Sequence, residues 1–185
     1  MPRSEDNRWA GAGAVPTPAP VAVVAAGNWW LSHDRTGPVI LKRARGRYGP
    51  EVALLDMGTA GLDLLDHLHG RELLYVIDAC LRGGTPGQVY VEVPDLDTAP
   101  DPVGSVHQIG PLETLTIAER LYPELLPDRV VVIGIETAGI DDRAEARACE
   151  EVLKILDQGI ARWRRERPSP LDVLAAEGQE KRRCG

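Results

Sequence analysis

Short apolar runs alternate along the chain with segments in which apolar residues recur at helical spacing. Continuous apolar runs occupy residues 21–25 and 73–77, and residues 129–135 form another apolar strand that starts with an arginine. A run of this kind is typical of a strand buried on both faces, as in a parallel sheet. Residues 51–56 predict another strand. Residues 88–93 alternate apolar and polar side chains with period two, which predicts an edge or antiparallel strand.

Between these strands the pattern predicts helices. The first covers residues 34–47, with Val39, Ile40 and Ala44 turned inward, and Pro111 opens another that reaches about residue 121. Further helices are predicted at residues 59–69 and 143–165. Strands and helices that alternate in this way predict an α/β fold. We expect a three-layer sandwich with a mostly parallel central sheet of about five strands and helices on both faces.

The composition divides the chain into one domain and two flanking segments. Residues 1–19 are rich in Gly, Ala and Pro and predict a disordered or loosely attached extension. Residues 20–166 predict a single α/β domain, which the total length of 185 residues allows. Residues 167–185 form a polar C-terminal tail.

Charge, hydropathy and cysteine content exclude several classes of function. The net charge of −7 argues against nucleic acid or an anionic membrane surface as a partner. No apolar run approaches the roughly 18 residues of a membrane span, and prolines and charges interrupt the N-terminal segment. Cys80, Cys149 and Cys184 are too widely spaced to indicate a disulfide framework or a CxxC metal site. We therefore expect a cytoplasmic protein.

Candidate chemistry lies where the apolar strands end. In open α/β sheets the ligand crevice lies outside the carboxyl ends of the strands, and this rule selects Asn28, Asp56 and Asp78. His107 lies in the loop before the helix that begins at Pro111. The segment at residues 27–37, which contains Asp34, also follows an apolar strand. Together with Asp78 and His107 it offers two carboxylates and one imidazole, a ligand set suited to zinc, copper, iron or nickel. Three protein ligands leave coordination positions open for water or substrate.

Five short motifs follow one another along the chain. They are GNWWLSHDRTG at residues 27–37, DMGTAG at 56–61, VIDA at 76–79, PG at 86–87 and HQIGPL at 107–112. In this order they resemble the hydrogenase maturation proteases, and the resemblance runs from about residue 21 to about residue 160. No single motif is decisive, but five in the correct order are fairly specific.

The resemblance implies an endopeptidase that removes the C-terminal extension of a nickel-loaded large-subunit precursor of a nickel–iron hydrogenase. By position, the residues that recognise the metal become Asp34, Asp78 and His107. The nickel belongs to the substrate, so no resident cofactor is expected, although such an open site could capture an adventitious divalent cation. Asp34, Asp78 and Asp56 are the candidate catalytic carboxylates. No Ser or Cys nucleophile is implied, and we expect a monomer.

Taken alone, these residues also have ordinary structural interpretations. Asp34 could be a helix N-cap, and His107 a loop histidine without a role. Asp56 could support the following turn through an Asx-type bond. Trp29 and Trp30 could bind substrate at the cleft, or one of them could pack on the core.

Two other functions compete with the protease. A non-catalytic chaperone or binding module could recognise the nickel-loaded large subunit without cutting it. A nucleotide-binding α/β domain is the weaker alternative, because Gly27 and Asn28 are followed by two tryptophans and not by a G-x-G-x-x-G turn. Bulky indole rings there would prevent close approach of a pyrophosphate.

Overall fold

The computed structural model describes residues 18–59, 61–96 and 110–167. They form a five-stranded sheet in the order β2-β1-β3-β5-β4, in which only β4 is antiparallel to its neighbour. The predicted α/β class and the antiparallel edge strand are confirmed. The elements in chain order are β1 (Val21–Ala26), α1 (Thr36–Ala44), β2 (Val52–Gly58), a 3₁₀ helix (Gly61–His67), β3 (Leu73–Cys80), β4 (Val89–Glu92), α2 (Pro111–Leu121), a short 3₁₀ turn (Pro123–Leu125), β5 (Arg129–Glu136) and α3 (Asp142–Glu166).

Each face of the sheet is covered by its own core. Val21, Val23 and Ala25 of β1 pack with α1 and α3 on one face. Ala22 and Val24 pack with the 3₁₀ helix and α2 on the other. Since successive strand side chains point to opposite faces, the unbroken apolar run of β1 supplies both cores and is completely buried. The three-layer arrangement follows from this double burial.

The structure changes several of the predicted elements. β3 extends through Asp78 to Cys80, because these last residues continue to pair with β5. α1 begins only at Thr36, so Asp34 precedes the helix. The segment predicted as an amphipathic helix at 59–69 is a 3₁₀ helix that buries Leu64.

Other predictions concern residues outside the described ranges. These are most of the extension predicted at residues 1–19, the predicted position of His107, and the tail predicted after residue 167, of which the structure describes none beyond that residue. Within the ranges that are described, none of the helices has the combination of length and apolar character that crossing a bilayer requires.

The first turn of α1 lies directly against the ends of the two central strands. A Cβ atom at Gly37 would lie 2.6 Å from the carbonyl oxygen of Ala26 and 3.3 Å from that of Ile77. Both neighbours are backbone atoms, so neither can move aside cheaply. The absence of a side chain at Gly37 therefore lets α1 dock where β1 and β3 end, and this docking determines where the preceding turn can lie.

We predict that Gly37→Ala destabilises the fold by about 2 kcal/mol, because the new methyl group overlaps backbone atoms in a packed core. Urea unfolding followed by circular dichroism measures the loss. Gly46→Asn is the matched control, since Gly46 has φ +75° and an added Cβ meets nothing within 4 Å there. Asn tolerates this backbone conformation, and we expect a change below about 1 kcal/mol. Equal losses for the two variants would contradict the packing argument.

Candidate active site

The turn between β1 and α1 is closed by backbone hydrogen bonds that only glycine allows at its first position. Gly27 has φ +136°, and a Cβ atom there would lie 2.0 Å from the carbonyl oxygen of Asp34. The Gly27 N–H donates to the carbonyl of Gly58 over 2.8 Å, which ties the turn to the end of β2. The chain therefore doubles back tightly, and Asp34 returns to the end of β1.

The Asp34 carboxylate is held by this turn. The Asn28 N–H donates both to the Asp34 carbonyl and to Asp34 Oδ2, each over 3.0 Å. The Asp34 N–H donates to the carbonyl of Leu31 over 2.9 Å. The N-cap position of α1 belongs to Arg35, which makes no side-chain cap bond, so Asp34 does not cap the helix. Among the described residues, no donor reaches Asp34 Oδ1.

Asp78 lies near the end of β3, the strand next to β1. β1 and β3 pair in parallel, with Ala25 opposite Ile77, so both chains end at the same edge of the sheet. The Ala79 N–H donates to Asp78 Oδ1 over 2.8 Å. Burial, together with the charges of Asp34 and Glu113, raises the pKa of Asp78 to about 6, against the lowering effect of the Ala79 N–H. The Asp34 and Asp78 carboxylates are thus brought within electrostatic reach of each other.

Glu113 is a third carboxylate near this pair, and the sequence did not reveal it. It lies in the first turn of α2, where acidic residues are common because the helix dipole favours them. No sequence pattern therefore sets it apart from an ordinary first-turn acid. His107 lies outside the described residues. Within those residues, no group of three His, Cys, Asp or Glu side chains is arranged to hold a metal ion.

Asp56 is engaged by two donors. The Gly58 N–H donates to its Oδ1 over 3.1 Å, which is the Asx-type bond expected from the sequence. The indole Nε1 of Trp29 donates to its Oδ2 over 3.0 Å. Neither tryptophan packs on the core, because 41% of the Trp29 surface and 92% of the Trp30 surface remain exposed. Asp56 therefore joins β2 to the loop that follows β1.

A charged network anchors the residue after Asp34. Arg35 Nε and Nη2 donate to the two carboxylate oxygens of Glu145 over 3.1 and 3.0 Å. Arg35 Nη2 also donates to Asp142 over 3.0 Å. The Thr36 hydroxyl donates to Glu145 over 3.3 Å. Arg35 and Glu145 are 110 positions apart in the sequence, so no local pattern could predict the pair.

Glu136 holds the segment that follows β3 by accepting hydrogen bonds from its backbone. Its side chain is completely buried and accepts from the N–H groups of Arg82, Gly84 and Ala138 over 2.8, 3.0 and 3.4 Å. The N–H groups of Gly84 and Arg82 are the main reason that the pKa of the Glu136 carboxyl falls below its ordinary value. The sequence contains a signal that could have identified Glu136. It is an acidic residue at the end of an apolar strand, just as Asp78 is an acidic residue near the end of another.

A cavity of about 330 Å³ lies at the opposite end of the sheet. Its lining includes Val93, Leu96, Glu119, Leu126 and Arg129, and it contains none of the candidate site residues. Arg129 starts β5, so this cavity faces the amino ends of the parallel strands. In open α/β sheets the functional crevice lies at the carboxyl ends, the edge at which β1 leads to Asp34 and β3 carries Asp78.

Comparison with known proteins gives concordant results. The family model described as hydrogenase maturation protease (HycI) matches residues 40–163, a range that includes Asp56, Asp78 and His107 and starts after Asp34. The chain is 30% identical over 155 residues to the hydrogenase expression/formation protein HoxM of Cupriavidus necator, covering 77% of this chain and 75% of that protein. It is 31% identical over 122 residues to the hydrogenase 2 maturation protease of Escherichia coli, covering 62% and 71%.

Among solved structures, the hydrogenase maturating endopeptidase HybD from Escherichia coli superposes with a TM-score of 0.58. The alignment covers 75% of this chain and 93% of that chain, at 20% identity. At this identity the likeness concerns the fold, and it agrees with the five-stranded α/β sandwich described above.

We predict that Asp78→Asn stabilises the metal-free protein at neutral pH but not in acid. The folded pKa of about 6 lies above the ordinary value, so the folded state holds the proton more tightly than the unfolded chain does. This contribution to stability is complete below about pH 4 and is lost as the pH rises through about 6. The amide, which never ionises, should therefore raise the free energy of unfolding by on the order of 2 kcal/mol at about pH 7.5.

Urea unfolding of both proteins from about pH 4 to pH 8, with a chelator present, measures this difference. Asp128→Asn is the control, because Asp128 is exposed at the other end of the sheet. A stability difference between Asp78→Asn and the unmutated protein that does not vary with pH would contradict the burial of a proton-binding carboxyl.

Proposed function

Because the chain belongs to the hydrogenase maturation protease family, and is therefore a peptidase, we propose that it removes the C-terminal extension of a nickel-loaded large-subunit precursor of a nickel–iron hydrogenase. The observation that carries this proposal is the convergence of Asp34 and Asp78 at the carboxyl ends of β1 and β3. Because the charge of Asp34 contributes to raising the pKa of Asp78, the two carboxylates repel each other unless a proton or a cation compensates one of the charges. A substrate that brings its own metal ion supplies that cation.

The donor set supports recognition of the substrate's nickel. Asp34 and Asp78 each use one carboxylate oxygen for a backbone N–H and keep the second free of donors from the described residues. The two N–H groups orient the carboxylates, as outer hydrogen bonds do around metal sites. His107 is proposed as the third ligand, and its imidazole suits nickel. Three ligands from the protease leave coordination positions for groups of the precursor.

Cleavage then requires a water molecule next to the nickel. Polarised by the metal or activated by a carboxylate, its oxygen forms a bond to the scissile carbonyl carbon, and the bond between that carbon and the amide nitrogen breaks. The proton lost by the water passes to a carboxylate and then to the departing amine. We assign the acceptance of this proton to the pair formed by Asp34 and Asp78.

The three candidate catalytic carboxylates do not share one environment. Asp34 and Asp78 each retain an oxygen without a donor from the described residues, whereas both oxygens of Asp56 accept hydrogen bonds, from Gly58 and Trp29. We therefore propose Asp34 and Asp78 as the reacting pair. Asp56 is assigned the task of holding the Trp29 loop beside them.

We predict that Asp34→Asn and Asp78→Asn each lower the rate of precursor cleavage by at least about a hundredfold, because either change removes a charge that the metal and the reacting water need. The assay mixes the purified protein with the hydrogenase precursor of the same organism, with and without nickel, and follows the intact mass. Loss of a C-terminal peptide is expected only from the nickel-loaded precursor. Asp128→Asn, at the far end of the sheet, should cleave at the unmutated rate.

Asp56→Asn separates the two roles proposed for these carboxylates. The amide retains one acceptor oxygen, so a positioning residue should leave substantial activity. Loss as complete as that of Asp78→Asn would instead make Asp56 a catalytic base. Tight binding of the nickel-loaded precursor without any change in mass would refute the protease and favour a non-catalytic chaperone.

A further inference from the structure

The loop that leads to Asp34 exposes three large apolar side chains in succession. Trp29 is 41%, Trp30 92% and Leu31 44% exposed. They are followed within three residues by the Asp34 carboxylate. Large apolar side chains grouped on a surface mark binding sites more often than single ones do. Trp30 in particular has almost its whole indole ring in solvent.

This loop is held in place by specific hydrogen bonds. The Asn28 side-chain oxygen accepts from the Trp30 N–H over 2.9 Å, and the Asn28 carbonyl accepts from the Leu31 N–H over 3.1 Å. The Trp29 indole is bound to Asp56, and the Lys42 ammonium lies 5.9 Å from the centre of its ring. The backbone that carries Trp30 is therefore ordered before any partner binds, so little conformational entropy remains to be lost on binding.

Other exposed apolar side chains lie on the elements that adjoin the same carboxylates. Leu81, which is 76% exposed, directly follows β3 and its Asp78. Leu112, which is 41% exposed, shares the first turn of α2 with Glu113, whose charge acts on Asp78. Three separate segments that carry or adjoin Asp34, Asp78 and Glu113 thus expose apolar side chains. We call Trp29, Trp30, Leu31, Leu81 and Leu112 the apolar rim.

We propose that Trp30 is the main docking residue for the protein substrate, inserting its indole into an apolar recess of the folded precursor beside the nickel. This inference rests on the proposed function. A precursor that presents its nickel to Asp34 and Asp78 has to cover the residues immediately before Asp34. Because the rim is spread over three elements, it fits the surface of a folded protein better than a small molecule. Tryptophan is one of the residue types enriched among the side chains that contribute most to the affinity of such interfaces.

The test is steady-state cleavage of the nickel-loaded precursor by the Trp30→Ala variant. An anchor that is used equally in the ground state and the transition state changes KM and not kcat. We expect KM to rise roughly tenfold or more and kcat to stay within about twofold. Trp30→Phe should recover most of the affinity. Leu121→Ala is the matched control, because Leu121 is also exposed, 64%, but ends α2 away from Glu113.

Three results would overturn the proposal. An unchanged KM for Trp30→Ala would mean that the indole does not contact the precursor. A lower KM would mean that Trp30 holds a segment of its own chain over the site. Self-association of the unmutated protein that Trp30→Ala abolishes in sedimentation would assign the indole to a second copy of this chain.

A failure of the proposed function is distinguishable from a failure of this inference. If the unmutated protein leaves the precursor mass unchanged, the protease proposal fails, and Kd for the nickel-loaded precursor replaces KM as the readout. A Kd at least roughly tenfold weaker for Trp30→Ala would still support docking through Trp30. Equal Kd values for the two proteins would refute it.

Discussion

The backbone N–H of Asn28 is the group on which the arrangement of this site depends. It donates to both the carbonyl and the carboxylate of Asp34, and so closes the turn that returns the chain from β1 to the start of α1. Closure is possible because Gly27 has no side chain to meet the Asp34 carbonyl, and because Gly37 lets α1 dock against the strand ends. One turn therefore orients a carboxylate, exposes a tryptophan and begins a helix.

Much of this site could be predicted because strand ends obey a simple rule. Apolar runs located β1 and β3, and the parallel pairing of two central strands brings whatever follows them to one edge. That rule placed Asp78 and the loop of Asp34 together. It could not show that Asp34 is held by Asn28 instead of capping α1, since both arrangements fit the same local sequence. The bonds between Trp29 and Asp56 and between Arg35 and Glu145 depend on register and docking, which local patterns do not encode.

The carboxylates at this end of the sheet fall into two groups with different tasks. In Asp56 and in Glu136 both carboxylate oxygens accept hydrogen bonds from N–H groups, and these bonds hold loops in place. Asp34 and Asp78 each keep one oxygen that receives no donor from the described residues. The fold thus places the same functional group in two different surroundings at this end of the sheet, and the number of N–H donors among the described residues distinguishes them.

The hydrogen bonds of Arg35 with Glu145 and Asp142 connect the start of the domain to its last helix, which is synthesised much later. A chain emerging from the ribosome makes β1, the Asn28 turn and β3 early, but α3 only at the end. Until α3 docks, the residue beside Asp34 lacks its anchor, and one face of the sheet lacks its cover. A chain in which α3 has not yet docked therefore carries Asp34, Asp56 and Asp78 without the anchor that holds Arg35 beside them.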